Sequence, residues 1–507
     1  MVGAGPGDAG LLTLRGAELL ALADVIIYDQ LVNPDLLRLA PQAELIHRGK
    51  GMTMPQADIT ALILAKAREG KTVVRLKGGD PYIFGRGGEE AEALATAKIH
   101  FEVVPGVSSV VAAPNYAGIP LTHRDHCSSF TVFTGHAEAA ETKTDLRYEQ
   151  IAKIPGTKVV LMGMERLAEW TRSLIAHGMA AETPVAVVEQ GTTGRQRSVA
   201  GTLATITALV AEKKIAPPAL TILGDVVKLR GKLNWFEQQP LFGQRIVVTR
   251  RAGKDAATTS VKFGDGNMPS LPHQLAVRGA DVLEIPTIKT VPPTNLAPIA
   301  DALIELNSYD WLVFTSPTGV TKFFEIFFRG FDDMRDIGGV RIAAVGPATA
   351  AKLKEFHLKV NVMPEEFIGV KIAAAMNKYE SVENLKICLL RAEVATPELP
   401  KALEALGGIV DDIPCYKTVP ETEDPTGAAA RLLEAGADWI TFTSSSTVEN
   451  FHVRFDLPAL LKKFPQTRLA SIGPETSKAL TALGLKPAVE AKAHTIEGLV
   501  AALEKNR

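Results

Sequence analysis

A chain of 507 residues, 46% apolar and 22% charged with a formal net charge of −2, has the composition of a globular protein, with about three or four domain-sized units. It has no overall basic excess for nucleic acid and no acidic tail, so anion binding must come from locally placed Arg, Lys and His. The cysteines Cys127, Cys388 and Cys415 lie far apart without a CxxC pair, so neither a disulfide framework nor a metal site is expected, and a reducing cytoplasm is. No apolar run approaches a membrane span and no signal-peptide pattern precedes the first strand.

Apolar spacing over residues 1–232 predicts alternating short strands and amphipathic helices. Gly3-Ala4-Gly5-Pro6-Gly7-Asp8 precedes a helix over Leu11–Leu22 and a strand over Val25–Tyr28 that ends at Asp29. A first strand normally has about five residues, which points to a native amino terminus lost or displaced. Pro6 and the compressed glycine spacing leave no GxGxxG, so a nicotinamide dinucleotide is not expected. Asp29 stands directly after a strand, where α/β proteins place ligand-facing residues; a helix cap or turn is the plain alternative. A strand over Ala43–Ile46 then leads into the basic turn His47-Arg48-Gly49-Lys50-Gly51.

The stretch from Val73 to Glu90, VVRLKGGDPYIFGRGGEE, organises this half. Its β-branched, apolar run stops at Gly78-Gly79-Asp80-Pro81, and a second glycine knot follows at Gly85–Gly88. This predicts a buried strand feeding a turn whose backbone can lie close to a ligand. Asp80 can accept hydrogen bonds, Arg86 can fork onto a carboxylate, and Glu89-Glu90 open a helix where negative charge suits the dipole. A strand over Phe101–Val104 then switches into Pro105-Gly106-Val107-Ser108-Ser109, and His123 and Arg124 follow a proline turn.

A second α/β unit begins near Ser129, with strands over Phe130–Phe133, Lys158–Met162, Pro184–Glu189 and Ala219–Leu223. Helices are predicted over Glu165–His177 and Leu203–Glu212. Met162-Gly163-Met164, Gln190-Gly191-Thr192 and Ala216-Pro217-Pro218-Ala219 form turns at strand ends; by itself Met162 reads more readily as core packing than as a ligand contact. Periodicity fades over Arg230–Gly243, which reads as a linker.

From Gln244 onward the sequence repeats itself. Tyr309–Ser316 (YDWLVFTS) recurs as Ala437–Ser444 (ADWITFTS), Arg341–Thr349 as Arg468–Thr476, and Ile285–Pro292 as Ile413–Pro420. Two similar α/β lobes are expected, with the proline-marked segments as the crossings between them. Each lobe offers a Thr-Ser turn and a Gly-Pro-x-Thr turn, whose hydroxyls and helix N-terminal N–H groups can bind carboxylates or simply cap helices.

VGAGPGD, the strand ending Tyr28-Asp29, VVRLKGGDPYIFGRGGEE, VVPGVSS, GIPLTHR and the Ala-Pro-Pro-Ala-Leu turn together resemble the uroporphyrinogen-III C-methyltransferase family over roughly residues 1–230. The repeated half, with FTSP, VGPATA, CYKT, FTSSSTVENF and SIGPETS, resembles uroporphyrinogen-III synthase. The resemblance implies an α/β chain: a two-domain tetrapyrrole-methylase fold (1–128 and 129–232), a linker (233–243), and a two-lobed synthase fold. Lobe 1 comprises 244–286 with 419–507, and lobe 2 comprises 287–418.

It further implies S-adenosylmethionine, leaving as S-adenosylhomocysteine, at Pro6, Gly78, Gly79, Asp80, Ile83, Ser108, Ser109, Met162, Gly191, Ala216 and Pro217. Asp29 and Lys50 would be an acid/base pair, since a methylated pyrrole carbon must lose a proton. Arg86, His123 and Arg124 would meet substrate carboxylates, and Glu89 the pyrrole nitrogens. In the second half the resemblance implies closure of hydroxymethylbilane with inversion of the last ring and no cofactor. Tyr416 would assist hydroxyl departure, and Ser316, Thr349, Ser444, Ser445 and Thr476 would hold acetates and propionates. Small-molecule tetrapyrrole substrates, no nucleic-acid or membrane partner, and a homodimer through the first half complete the expectation.

Three features depart from the family patterns. Ser108-Ser109 stands where Thr-Ala is more usual, the segment Gly253–His273 is longer and more polar than the synthase pattern needs, and no dehydrogenase-chelatase segment is present. Two other readings share these motifs: a tetrapyrrole-binding, non-catalytic synthase-like half, and a methyltransferase for another precorrin. The long GGDPYIFGRGGEE match and the fused synthase favour uroporphyrinogen III over the latter.

Overall fold

The structure, a computed structural model, describes residues 1–48, 54–135, 148–249, 251–252, 270–366, 369–424 and 426–507. Lys50 and residues 253–269 of the polar segment lie outside them. The chain forms two compact units, one of Met1–Arg250, Lys254–Ile285 and Glu423–Arg507, the other of Arg251–Gly253 and Pro286–Thr422.

The first sheet of unit 1 has β1 (Val2–Gly3), β2 (Val25–Asp29), β3 (Glu44–Arg48) and β4 (Val73–Lys77), parallel throughout in the order β1-β4-β2-β3. Its middle strands, β4 and β2, are largely buried on both faces, as parallel sheets require, with the cations Arg75 and Lys77 set among the apolar residues of β4. Phe101–Val104 does not become a strand; only Val104 bridges to Val2, through Gly3 N to Val104 O and Val104 N to Met1 O. With β1 offering two residues, no longer ladder can form.

The second sheet holds β5 (Phe130–Thr134), β6 (Thr157–Leu161), β7 (Pro184–Glu189), β8 (Arg197–Thr202) and β9 (Ala219–Leu223), ordered β5-β6-β9-β7-β8. β5 and β6 run parallel and the remaining pairs antiparallel. β8, an edge strand with only Val199 buried, carries too little apolar signal to be read from its sequence.

Residues 233–243, read as a linker, are packed. Phe236 and Leu241 are buried, and Glu237 accepts from Gln196 Nε2 (2.9 Å), Ser198 Oγ (2.6 Å), Asn234 Nδ2 (3.1 Å) and the Arg230 guanidinium. Its polar residues form a hydrogen-bond hub around Glu237, in which Asn234 Oδ1 alone is buried without a partner among the described residues of the segment.

A third sheet, all parallel, is drawn from both sides of unit 2: β10 (Arg245–Thr249), β12 (Asp281–Glu284), β18 (Trp439–Phe442), β19 (Arg468–Ser471) and β20 (Val489–Glu490), in the order β12-β10-β18-β19-β20. Unit 2 holds β11 (Arg251–Ala252), β13 (Ile288–Val291), β14 (Trp311–Phe314), β15 (Arg341–Ala344), β16 (Lys386–Ala392) and β17 (Ile409–Pro420), ordered β11-β13-β17-β16-β14-β15. The repeated motifs become equivalent elements. β14 and β18 each open on a fully buried Trp, and each is followed by a Ser N-cap, Ser316 and Ser444. The third repeat supplies β13 and β17, which pair antiparallel, Ile288 with Pro420 and Val291 with Lys417. Among the described residues no helix is long and apolar enough to cross a membrane.

Burial by itself raises the Glu237 carboxyl, but the bonds from Arg230, Ser198 and Gln196 outweigh it and hold the group below the usual glutamate range. The stabilisation is therefore complete above the ordinary glutamate pKa of about 4.3 and is lost as pH falls through the lower folded value. Glu237→Gln should cost about 1–3 kcal/mol at pH 7 by leaving Arg230 unpaired. Urea midpoints measured from pH 7 to pH 3 should converge with those of the wild type at the acid end.

Candidate active sites

The carboxyl ends of the strands in the first half bring the glycine turns together. Gly5 and Gly79 exchange backbone hydrogen bonds, Gly79 N to Gly5 O at 2.7 Å and Gly5 N to Gly79 O at 3.3 Å. A side-chain carbon on Gly106 would stand 2.1 Å from Gly79 O and 2.7 Å from Gly3 Cα, so these loops meet backbone to backbone. Gly79 has φ +66°, the left-handed region that favours glycine. Ser108 caps helix Ser109–Tyr116 by accepting from Val110 N at 3.3 Å, and the Ser108 Cα lies 3.8 Å from where a Gly79 Cβ would sit.

The Gln190–Gln196 turn reaches the same place. Gly191 packs so that a Cβ would lie 2.5 Å from Ala113 Cβ, and Thr192 Oγ1 accepts from Asp8 N at 3.2 Å beside Pro6. Gln190 N bonds to Pro218 O at 2.9 Å, tying in the Ala216–Pro217 turn. Open backbone, small side chains and the first turn of a helix make a cradle that fits an adenosyl group with a zwitterionic tail.

Several side chains differ from their sequence reading. Met162 is half exposed with φ +52°, so it projects from its strand end and does not pack in the core. Ile83 is exposed beside Tyr82 and Phe84. Asp80 staples two loops: Oδ1 accepts from Tyr82 N (2.8 Å) and Oδ2 from Gly106 N (3.0 Å). Arg86 does fork onto a carboxylate, but that of Glu89, at 2.9 and 2.7 Å; this bond holds the Glu89 carboxyl below its usual range. Exposed pairs of this kind are worth at most about 1 kcal/mol and exchange readily for another carboxylate. His123 sits in a tight turn, its Nδ1 accepting from Asp125 N at 3.2 Å, and Arg124 is exposed.

Asp29 ends β2 with its Oδ1 accepting from Arg75 Nη2 at 2.5 Å, so it is neither a helix cap nor a plain turn residue. Arg75 continues to Glu90 Oε1 (3.3 Å), which also receives Lys77 Nζ (3.2 Å) and Gln56 Nε2 (2.7 Å). Arg75, Lys77 and Glu90 are all buried. Glu90 stands in the first turn of its helix, as the sequence indicated, and in addition serves as a counter-ion inside the domain. Desolvation, with Arg75 adding repulsion, pushes the Lys77 ammonium below its ordinary value. The sequence did carry this signal: Arg75 and Lys77 occupy alternate positions of an otherwise apolar strand, which puts both cations on one face.

In unit 2 the Tyr416 hydroxyl lies 3.1 Å from Ser316 Oγ, which accepts from Gly319 N at 3.0 Å as the helix cap. Tyr416 is 5% exposed and follows a register shift between β16 and β17 at Arg391/Ala392. In unit 1, Ser444 forms a reciprocal cap with Thr447, and Ser445 Oγ donates to Glu475 O at 3.0 Å, joining the Thr-Ser and Gly-Pro turns of that lobe. Thr349 and Thr476, each 3% exposed, turn their side chains inward, so their hydroxyls are not presented to a ligand.

Two family models match: Tetrapyrrole (Corrin/Porphyrin) Methylases over residues 1–207, and Uroporphyrinogen-III synthase HemD over residues 270–501. A porphyrin biosynthesis protein HemD of Ruminiclostridium josui is 37% identical over 506 residues, covering 99% of this chain and 96% of that protein. An S-adenosyl-L-methionine-dependent uroporphyrinogen III methyltransferase of Methanosarcina barkeri is 51% identical over 238 residues, 46% of this chain and 93% of its own length. Among solved structures, the uroporphyrin-III-C-methyltransferase of Thermus thermophilus matches with 40% identity and a TM-score of 0.40, covering 46% of this chain and 96% of that one.

Fold and site together define a two-domain α/β methyltransferase joined to a two-lobed synthase. The chain belongs to the family of fused uroporphyrinogen-III C-methyltransferases and uroporphyrinogen-III synthases, bifunctional enzymes of tetrapyrrole biosynthesis.

Arg75→Met should destabilise the first domain by about 3–5 kcal/mol, because Asp29 and Glu90 lose their shared buried partner. The urea midpoint of the native chain and this variant measures it; equal midpoints would show that the ion cluster contributes nothing.

Proposed function

We propose that the chain closes hydroxymethylbilane to uroporphyrinogen III with inversion of ring D, then methylates that product twice to precorrin-2 with S-adenosylmethionine. The convergence of the Gly5, Gly79, Ser108 and Gly191 turns carries this reading, because their glycines let the turns pack backbone to backbone and bring small side chains and the first turn of a helix to one place, where the methyl donor would bind. S-adenosylmethionine, when bound, supplies an electrophilic methyl group. Holding the pyrrole carbon against that methyl, in a site that orients both, provides much of the rate.

After methylation the pyrrole carries positive charge and must lose a proton. Asp29 is suited to take it, because Arg75 fixes its carboxylate from the side facing the domain interior while the carboxylate remains partly exposed. Lys50 would act with it from the neighbouring basic turn. Arg86, exposed and paired with Glu89, would exchange that partner for a substrate carboxylate; Arg124 and His123 would meet others.

In the synthase half Tyr416 would donate a proton to the departing hydroxyl, oriented by its contact with Ser316. A phenol is a weak acid, so this contribution is modest and preorganised binding contributes most. Ser316, Ser444 and Ser445 would bind acetate and propionate groups through hydroxyls, and the turns of Thr349 and Thr476 through backbone N–H groups.

The test supplies the chain with hydroxymethylbilane and S-adenosylmethionine anaerobically and resolves products by mass and ring isomer. Dimethylated type III product is expected; unmethylated type III would overturn the methyltransferase reading, and type I alone the synthase reading. Asp29→Ala should reduce methylation about 10²–10⁴-fold with ring closure intact. Tyr416→Phe should lower the type III to type I ratio and leave methylation of supplied uroporphyrinogen III unchanged.

A further inference from the structure

Within unit 1 a turn of the methyltransferase is pressed against the start of a synthase strand. Gly194 packs on the Ala280–Asp281 backbone so closely that a Cβ would lie 2.3 Å from Ala280 C and from Asp281 N. Next to it Arg195 Nε faces Asp281 Oδ1 at 3.7 Å. The same carboxylate receives Arg245 Nε at 2.8 Å and faces Arg431 Nη1 at 3.8 Å. A second ion pair, Arg38 with Glu284, crosses the same junction.

The clamped turn is the one that reaches the adenosyl cradle. Its Gln190 and Thr192 both have left-handed backbones, φ +47° and +71°. For non-glycine residues, above all β-branched threonine, this costs about 1–3 kcal/mol each and persists only where surroundings over-determine it. Inside the turn Gln196 Oε1 accepts from Thr192 N at 2.9 Å, while Gln196 Nε2 donates to Glu237 Oε1 and to Tyr116 O. Thr192 Oγ1 then accepts from Asp8 N, and a Cβ on Gly7 would meet Thr193 Cγ2 at 2.7 Å. One residue, Thr193, separates the synthase contact at Gly194 from the strained Thr192 that touches Asp8.

We propose that the Ala280–Asp281 edge of the synthase lobe is a positioning clamp for the Gln190–Gln196 turn, so that the synthase half sets the methyltransferase's affinity for S-adenosylmethionine. Gly194, Arg195 and Asp281 are positioning residues in this scheme and act through Thr192 and Gly191. The inference rests on the reading that the Pro6 and Gly191 turns bind the methyl donor. It assigns the fusion a physical consequence: a synthase lobe that loosens also loosens the donor site of its neighbour.

Full-length wild type, Gly194→Ala, Arg195→Ala and Arg195→Lys are titrated calorimetrically with S-adenosylhomocysteine. Initial methylation rates are measured against S-adenosylmethionine at saturating uroporphyrinogen III. Arg195→Ala should raise both the Kd for S-adenosylhomocysteine and the KM for S-adenosylmethionine about five- to twentyfold, with kcat within about twofold. Arg195→Lys should recover most of the loss, since one point charge suffices at this ion-pair distance. Gly194→Ala should weaken binding further, and ring closure should be unchanged in the Arg195 variants. Wild-type S-adenosylhomocysteine affinity in Arg195→Ala, an exposed substitution that leaves the fold intact, would overturn the clamp. A wild-type chain that binds no S-adenosylhomocysteine would overturn the donor-site reading itself.

Discussion

Gly106 stands so near Gly79 and Gly3 that no side chain could be inserted, and the end of β1, the turn after β4 and the Pro105–Ser109 loop are thereby held backbone against backbone. Each glycine costs conformational entropy on folding, and the reciprocal Gly5–Gly79 bonds with the Asp80 staple to Gly106 offset part of that cost. The surface left where these turns meet is made largely of peptide groups, whose geometry follows from the sheet and not from rotamers. On the reading proposed above it would select the methyl donor by shape and by N–H direction, and substrate identity would come from the longer side chains around it.

Beside this apolar cradle lies a different solution, a buried group of charges. Arg75 and Lys77 point to one face of β4 and meet Glu90 and, through Arg75, Asp29. Desolvating four charges is favourable only when each is paired, and the depressed Lys77 shows that the balance is close. Glu90 Oε2 is buried without a hydrogen-bond partner, so the group is held by charge balance more than by bond count. Such a cluster fixes Asp29 through Arg75 while its carboxylate stays partly exposed.

Much of this was legible in the sequence because it is written locally. Alternating apolar runs located β2, β4, β6, β7 and β9, and the YDWLVFTS/ADWITFTS repeat identified β14 and β18 with their serine caps. What escaped reading depends on neighbours distant in sequence. Val103 and Phe101 have strand propensity but no partner to pair with beyond β1. Glu90 reads from sequence only as an acid at a helix start until Arg75 and Lys77 are placed beneath it, and the 233–243 segment reads as a linker until Glu237 acquires partners from Gln196 and Ser198. Thr349 and Thr476 sit at helix starts where either face is possible, and only the packing turned them inward.

The fusion is not two enzymes on a tether. The third sheet takes β10 and β12 from before unit 2 and β18 to β20 from after it, and the last helix, Ile496–Lys505, returns to Leu271–Ala276 through Arg278–Glu504 and Gln274–Glu497. Contacts separated by more than two hundred residues close late in folding because loop-closure entropy precedes their reward. Asp281 lies where this late sheet begins, at the first position of β12, and it is mostly buried. One carboxylate facing Arg195, Arg245 and Arg431 can be paired fully only when the methyltransferase turn, the β10 edge and the helix Ala428–Ala435 have all arrived. Burial weakens the Arg431 guanidinium's hold on its proton, and Asp281 offsets only part of that loss, so the arginines depend on the aspartate as it depends on them. Completion of the synthase lobe and seating of the methyltransferase turn are thus one electrostatic event.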